Sequence, residues 1–295
     1  MMTRENLEKH TIDEWVKEFS EIYGNVDVKR SPADIWLLLI EDASKVAEYI
    51  RTERYADVPE SLAHVFCWTC ALVWRLSKKN NLHIRFNLQR EPFSRIVWHK
   101  YPNACSLCGQ RHCICSVRRA ELEGLSKKEK EKVLKDVERY LEVARTRIEN
   151  LPKTLDKFAS MFGEIYGDVF PIDCIAFHFM EEVGEVSSCI RTLRETSKIN
   201  LEKTEEDRLI RALKDEIADV FSWTISLLLK LDYLLGAGCK FLKTQHGDED
   251  AEEVKQTVNL KLSSILWKTF QTEDEKSLHC PVCSQRPCQC MAVPF

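Results

Sequence analysis

The sequence predicts an all-α protein built from two tandem helical halves. Three observations carry this expectation. Only nine glycines and nine prolines occur in 295 residues, and Leu, Glu, Lys and Ala are abundant, a composition that favours helices over strands. Apolar residues recur at helical spacing around Phe177, Phe179, Met180, Val183 and Val186, and again around Leu213, Ile217, Val220 and Phe221. The chain also repeats itself at several places in the same order.

The repeats run as follows. Thr11-Ile12-Asp13 through Ile22-Tyr23-Gly24 returns as Thr154-Leu155-Asp156 through Ile165-Tyr166-Gly167. Ile40-Glu41-Asp42-Ala43-Ser44-Lys45-Val46 matches Met180-Glu181-Glu182-Val183-Gly184-Glu185-Val186. Val65-Phe66-Cys67-Trp68-Thr69 matches Val220-Phe221-Ser222-Trp223-Thr224. Each half then ends in the same cysteine spacing, Cys105, Cys108, Cys113, Cys115 and Cys280, Cys283, Cys288, Cys290.

Each half reads as a short helix (11–22, 154–165), an apolar helix (33–53, 173–195), another apolar helix (60–78, 208–235) and a last helix (90–99, 253–271) before its cysteines. The first half spans 1–118 with its cluster at 105–115, and the second spans 153–295 with its cluster at 280–290. Between them, 119–152 carries Ser126-Lys127-Lys128-Glu129, a capping-box pattern. It opens a charged run to about Glu149, closed by Pro152 and read as a solvated linker helix. The acidic stretch 243–253 reads as a mobile loop.

A formal net charge of −4, with both signs mixed, argues against a broad nucleic-acid or anionic-membrane surface. Met1–Trp15 lacks the apolar core of a signal peptide. The stretch Trp223–Leu235 is broken by Lys230 and Asp232 and is too short to span a bilayer. A cytoplasmic protein is expected. In that compartment the repeated C-x2-C-x4-C-x-C pattern points to metal rather than disulfides. Four clustered thiolates suit tetrahedral Zn2+ in a closed structural knuckle. Arg111, His112, Arg118, Arg119 and Arg286 beside the clusters leave a nucleic-acid-binding knuckle as an alternative. Cys67, Cys70, Cys174, Cys189 and Cys239 read as core residues.

The chemistry concentrates in the second half. Glu182 with Glu185, and Glu216 with Asp219, each share a helix face at i and i+3. Four such groups on packed helices repel one another unless a cation lies between them. Hard divalent cations, Mg2+ or Mn2+, favour such oxygen sites. Gly184 inside the first motif implies close approach by a neighbouring helix or a ligand, and Glu181 is expected in a supporting or solvent-facing position.

Glu182-Val-Gly-Glu185 followed by Glu216-Ile-Ala-Asp219-Val-Phe resembles the ExxE…ExxD signature of the MazG-like all-α nucleoside triphosphate pyrophosphohydrolases. The likeness covers most of 154–270 and, more weakly, 11–100. Residues 186–215 separate the two motif halves, a long interval that implies a longer loop around 196–207. The resemblance implies cleavage of an NTP or dNTP between the α and β phosphates, giving monophosphate and pyrophosphate. It implies Glu182, Glu185, Glu216 and Asp219 as Mg2+ ligands and catalytic groups. It makes Trp223 a base-stacking candidate, alongside a plain core role. His178, Lys261 and Lys268 are further candidates for substrate contact.

At the matching positions the first half has Asp42, Lys45, Ser61 and His64. That set does not hold Mg2+ in the same way, so the first half reads as a catalytically silent copy. Relatives of the family work as dimers, which implies an internal pseudo-dimer here. Lys45 or Arg51 of the first half would then contribute to the second half's pocket, and further homo-oligomerisation stays open. Two other readings are a non-catalytic nucleotide sensor and a zinc-knuckle nucleic-acid-binding protein.

Overall fold

The structure is a computed structural model describing residues 4–78, 91–167, 170–196, 202–244, 260–272 and 277–290. Among the described residues it is helical, with no strand beyond two isolated bridges. The first half comprises α1 (Ile12–Asp27), α2 (Pro32–Arg51), α3 (Val58–Leu76) and α4 (Phe93–Lys100). Between the halves lie α5 (Cys115–Glu123) and α6 (Lys127–Thr146). The second half comprises α7 (Leu155–Tyr166), α8 (Ile172–Thr196), α9 (Lys203–Thr244) and α10 (Leu262–Phe270).

Local chemistry sets where these helices begin. Thr11, Ser31 and Ser126 each accept from the backbone three residues on, and Glu14, Asp34 and Glu129 close the box. Pro32 and Pro59 sit in the first turns of α2 and α3, where a missing N–H costs nothing. The expected boundaries hold to a few residues, except that α1 runs on to Asp27 and α9 extends in both directions. The start of the expected last helix (253–259) and nearly all of the acidic stretch 243–253 lie outside the described residues, as does the side chain of Cys239. Cys67 and Cys70 are buried, while Cys174 and Cys189 are half-buried.

The halves interlock. Within each, α2 packs on α3 and α8 on α9, while α2 also lies along α8 and α3 along α9. The last helices cross over: α4 packs chiefly on α9, and α10 chiefly on α3. Corresponding residues make corresponding contacts. Ser94 donates to Asp13 on α1, as Ser263 does to Asp156 on α7. Tyr101 meets Phe162 edge-on at 5.2 Å, as Phe270 meets Phe19 at 5.2 Å. Phe66 and Phe221 meet each other at 5.8 Å between the halves. One apolar core therefore runs through both.

The cysteine clusters cross over too. The Cys113 N–H donates to Ile165 O on α7, and the Cys288 N–H to Ile22 O on α1, each at 2.6 Å. Each cluster is thus anchored to the first helix of the opposite half. The charged segment after the first cluster is more than a solvated linker. Val137, Leu141 and Ala144 of α6 form a buried stripe. Trp98 Nε1 donates to Arg145 O at 3.1 Å, and Arg145 Nε donates to His99 O at 2.7 Å. Gly109, with φ +68° and Val137 Cγ1 only 3.3 Å from where a Cβ would sit, lets the first cluster lie against α6.

Candidate metal and phosphate site

Glu182 and Glu185 stand one turn apart on α8, and Glu216 faces them from α9. One carboxylate oxygen from each can be chosen so that all three lie within 4.8 Å of one another. Glu182 and Glu216 are half-buried, and Glu185 opens to solvent. Burial, followed by the charges of Asp219 and Glu185, pushes Glu182 up to about 7. Burial, then the charge of Asp219, pushes Glu216 up to about 8. Three converging carboxylates, of which the half-buried Glu182 and Glu216 resist ionisation, fit a hard divalent cation.

The fourth expected ligand does not join them. Asp219 is 6% exposed and both of its oxygens are occupied. Tyr101 Oη donates to one at 2.5 Å, and Lys100 Nζ lies 2.9 Å from the other. Burial pushes its carboxyl up, against the opposing pull of Lys100 and Tyr101. Both partners come from the end of α4, in the first half. The first half therefore does reach this site, through Lys100 and Tyr101 and not through the expected Lys45 or Arg51. Lys45 is held by Asp42 and Glu41 in its own half. The signal for this contribution lay in the match of Trp98-His99-Lys100-Tyr101 to Trp267-Lys268-Thr269-Phe270. The sequence could show the match but not that the two segments exchange places.

Trp223 is 9% exposed. It stacks on His178 at 5.0 Å and on Tyr166 at 5.4 Å, with Phe170 edge-on at 6.4 Å. Beside it only about 10 Å3 of cavity remains, so a base reaches this ring only if His178 swings away. His178 also contacts exposed Glu181 at 3.2 Å, which leaves Glu181 at the solvent edge. Lys261 pairs with Glu8 at 2.6 Å and lies 3.7 Å from Asp156. It immediately precedes α10, which carries exposed Lys268 and packs on α3 and α7; the ammonium placed at the carboxylates is that of Lys100. No neighbouring helix approaches Gly184: a Cβ there would meet no protein atom within 4 Å. That face of α8 is turned to solvent.

The first half presents the same positions with the charge problem solved internally. Asp42 accepts from Lys45 Nζ and from Trp68 Nε1, each at 2.9 Å, and His64 Nδ1 lies 3.7 Å away. Burial raises Asp42, but hydrogen bonds from His64, Lys45 and Trp68 outweigh it and hold the carboxyl below its usual range. Phe270 packs against His64 at 5.5 Å, where Tyr101 meets Asp219 in the other half.

In each cysteine cluster the four Sγ atoms lie within 4.8 Å of one another. The Sγ separations are 3.6 Å for Cys105 and Cys115, 3.5 Å for Cys280 and Cys290, and 3.8 Å for Cys283 and Cys288. A tetrahedral Zn2+ with Zn–S of about 2.3 Å needs roughly 3.8 Å between sulfurs, so both clusters fit. All eight are free thiols. Gly109 and Ser284 take positive φ at the same place in the two turns. Three of the neighbouring basic residues are engaged within the chain: Arg111 with Glu164, Arg118 with Cys108 O, and Arg286 with Glu18 and Glu21.

Among the described residues, no helix is long and apolar enough to cross a membrane. No family model, curated protein or solved structure matches the chain.

Proposed function

We propose that this chain is a MazG-like, Mg2+-dependent nucleoside triphosphate pyrophosphohydrolase, organised as an internal pseudo-dimer with its second half active. The observation that carries the reading is the convergence of Glu182, Glu185 and Glu216 across α8 and α9, set against Asp42, Lys45 and Ser61 at the same places in the first half, where Lys45 neutralises Asp42. A scaffold that folds with either set does not need the three carboxylates for folding, which favours a ligand-directed role.

Glu182, Glu185 and Glu216 would hold the divalent cation, which when bound neutralises phosphate charge and lowers the pKa of a water. Asp219, as placed, anchors Lys100, which stands ready to meet a phosphate oxygen at the same edge. Tyr101 fixes the other oxygen of Asp219, so the Lys100 ammonium is presented from a rigid base. The crossed-over α4 makes the first half part of the second half's site. Zn2+ in the two clusters would be structural, fastening each half to the other.

The test is pyrophosphate release from a panel of NTPs and dNTPs with Mg2+. Glu182→Gln and Glu216→Gln are each expected to lower the rate by about 100-fold or more. The engagement of Asp219 by Lys100 and Tyr101 favours a second reading, a sensor that holds a metal–nucleotide complex on three carboxylates without turnover. Saturable Mg2+-dependent binding with no pyrophosphate from any nucleotide would select it.

A further inference from the structure

A cavity of about 350 Å3 opens in the first half, at the positions that correspond to the acidic site. Its floor is Asp42, locked by Lys45 and Trp68. Its sides are the rings of Tyr23, Trp68 and Phe270. In the second half the corresponding space is filled, because His178 lies on Trp223. The residue matching His178 is Leu38, which lines the cavity and leaves it open. The remaining wall is the second cysteine cluster, with Cys280 and Val282 at the cavity, fastened there by Asn25 Nδ2 donating to Cys288 O at 2.6 Å.

Two cations stand in this cavity. Lys45 is 44% exposed and, among the described residues, pairs with Asp42 and Glu41, leaving an ammonium donor for a ligand. The Arg30 guanidinium lies 5.5 Å from the Trp68 ring centroid and also pairs with Asp27 at 2.8 Å. Where the second half gathers three carboxylates, the first lines its cavity with Lys45 and Arg30 as well as Asp42 and Glu41, beside aromatic residues.

We propose that this cavity is a second, metal-independent nucleotide site. The base packs against the aromatic lining at Trp68, and the phosphate is met directly by Lys45 and Arg30 without a divalent cation. The choice of a nucleotide over another aromatic anion rests on the functional reading of the second half. The site itself rests only on the cavity and its lining.

The test is calorimetric titration of the full chain in Mg2+-free buffer without chelator, so that the cysteine clusters keep their metal. The probes are the four deoxynucleoside monophosphates and the matching nucleosides. At least one nucleotide is expected to bind with one-to-one stoichiometry, about tenfold tighter than its nucleoside. Lys45→Ala, which leaves Arg30 in place, should weaken the nucleotide towards the nucleoside's affinity without changing the nucleoside, and Leu38→Trp should abolish binding of both. Both positions are partly exposed, and helical circular dichroism checks that the variants fold. The Glu182→Gln/Glu216→Gln double variant should bind unchanged. Binding lost in that double variant but kept in Leu38→Trp overturns the proposal, as does failure of every probe to bind. Pyrophosphate release by the second half is scored separately, so its absence leaves the binding result standing.

Discussion

Glu216 and Tyr101 hold the two most informative side-chain environments in this protein. Glu182 and Glu216 are pushed up to about 7 and about 8, well above the roughly 4.3 of an unfolded glutamate. For groups raised on folding, the stabilisation is fully present below the unfolded value and is lost as pH rises through 7 to 8. A divalent cation reverses this, because it binds the ionised forms. The gain in melting temperature from Mg2+ should therefore be small near about pH 6 and largest above about pH 8. A gain that stays flat across that range would remove these carboxylates from metal binding. At Tyr101 the prediction concerns a hydrogen bond. Tyr101→Phe leaves buried Asp219 without its 2.5 Å donor and should cost about 1–3 kcal/mol in denaturant unfolding. The first half already carries the compatible pair, Phe270 against His64, so Tyr101→Phe combined with Asp219→His should cost less than the two single changes added together.

At the scale of the element, α6 shows how a charged run can still be structural. Its sequence is dominated by Lys and Glu, and most of its surface is solvated. Yet Val137, Leu141 and Ala144 recur at i, i+4 and i+7, a single narrow stripe. Leu141 is 1% exposed and belongs to a small cluster with Ala104 and Val137. Leu141→Ala should destabilise the chain by about 2–5 kcal/mol. If chemical denaturation shows no change, α6 is a linker and the brace on the first cysteine cluster is not real. The α4 and α10 helices teach the complementary lesson. Each has only one or two turns of apolar face and cannot stand alone, so its position depends on which half it finds to pack against.

For the whole molecule, the exchange of α4, α10 and both cysteine clusters binds the halves into one folding unit. Separating them would strip α9 of α4 and expose Phe221, which packs on Phe66 and Phe93. A fragment of residues 150–295 should therefore self-associate or fail to fold, as read by sedimentation and circular dichroism. A monomeric, folded and active fragment would show that the first half is dispensable.

The helices, the capping box at Ser126, the repeated cysteine spacing and the pairing of Glu182 with Glu185 were all legible in the chain, because each depends on neighbours within a few residues. So was the loss of carboxylates from the first half, since the matched segments can be laid side by side. Three features depended on the fold: the capture of Asp219 by Lys100 and Tyr101, the closing of Trp223 beneath His178, and the open cavity over Trp68. Each arises between segments far apart in sequence, and the first depends on α4 crossing to the other half. Local periodicity says that a helix has an apolar face. It does not say which of two similar partners will bury it, since that choice is made by the packing of the assembled core.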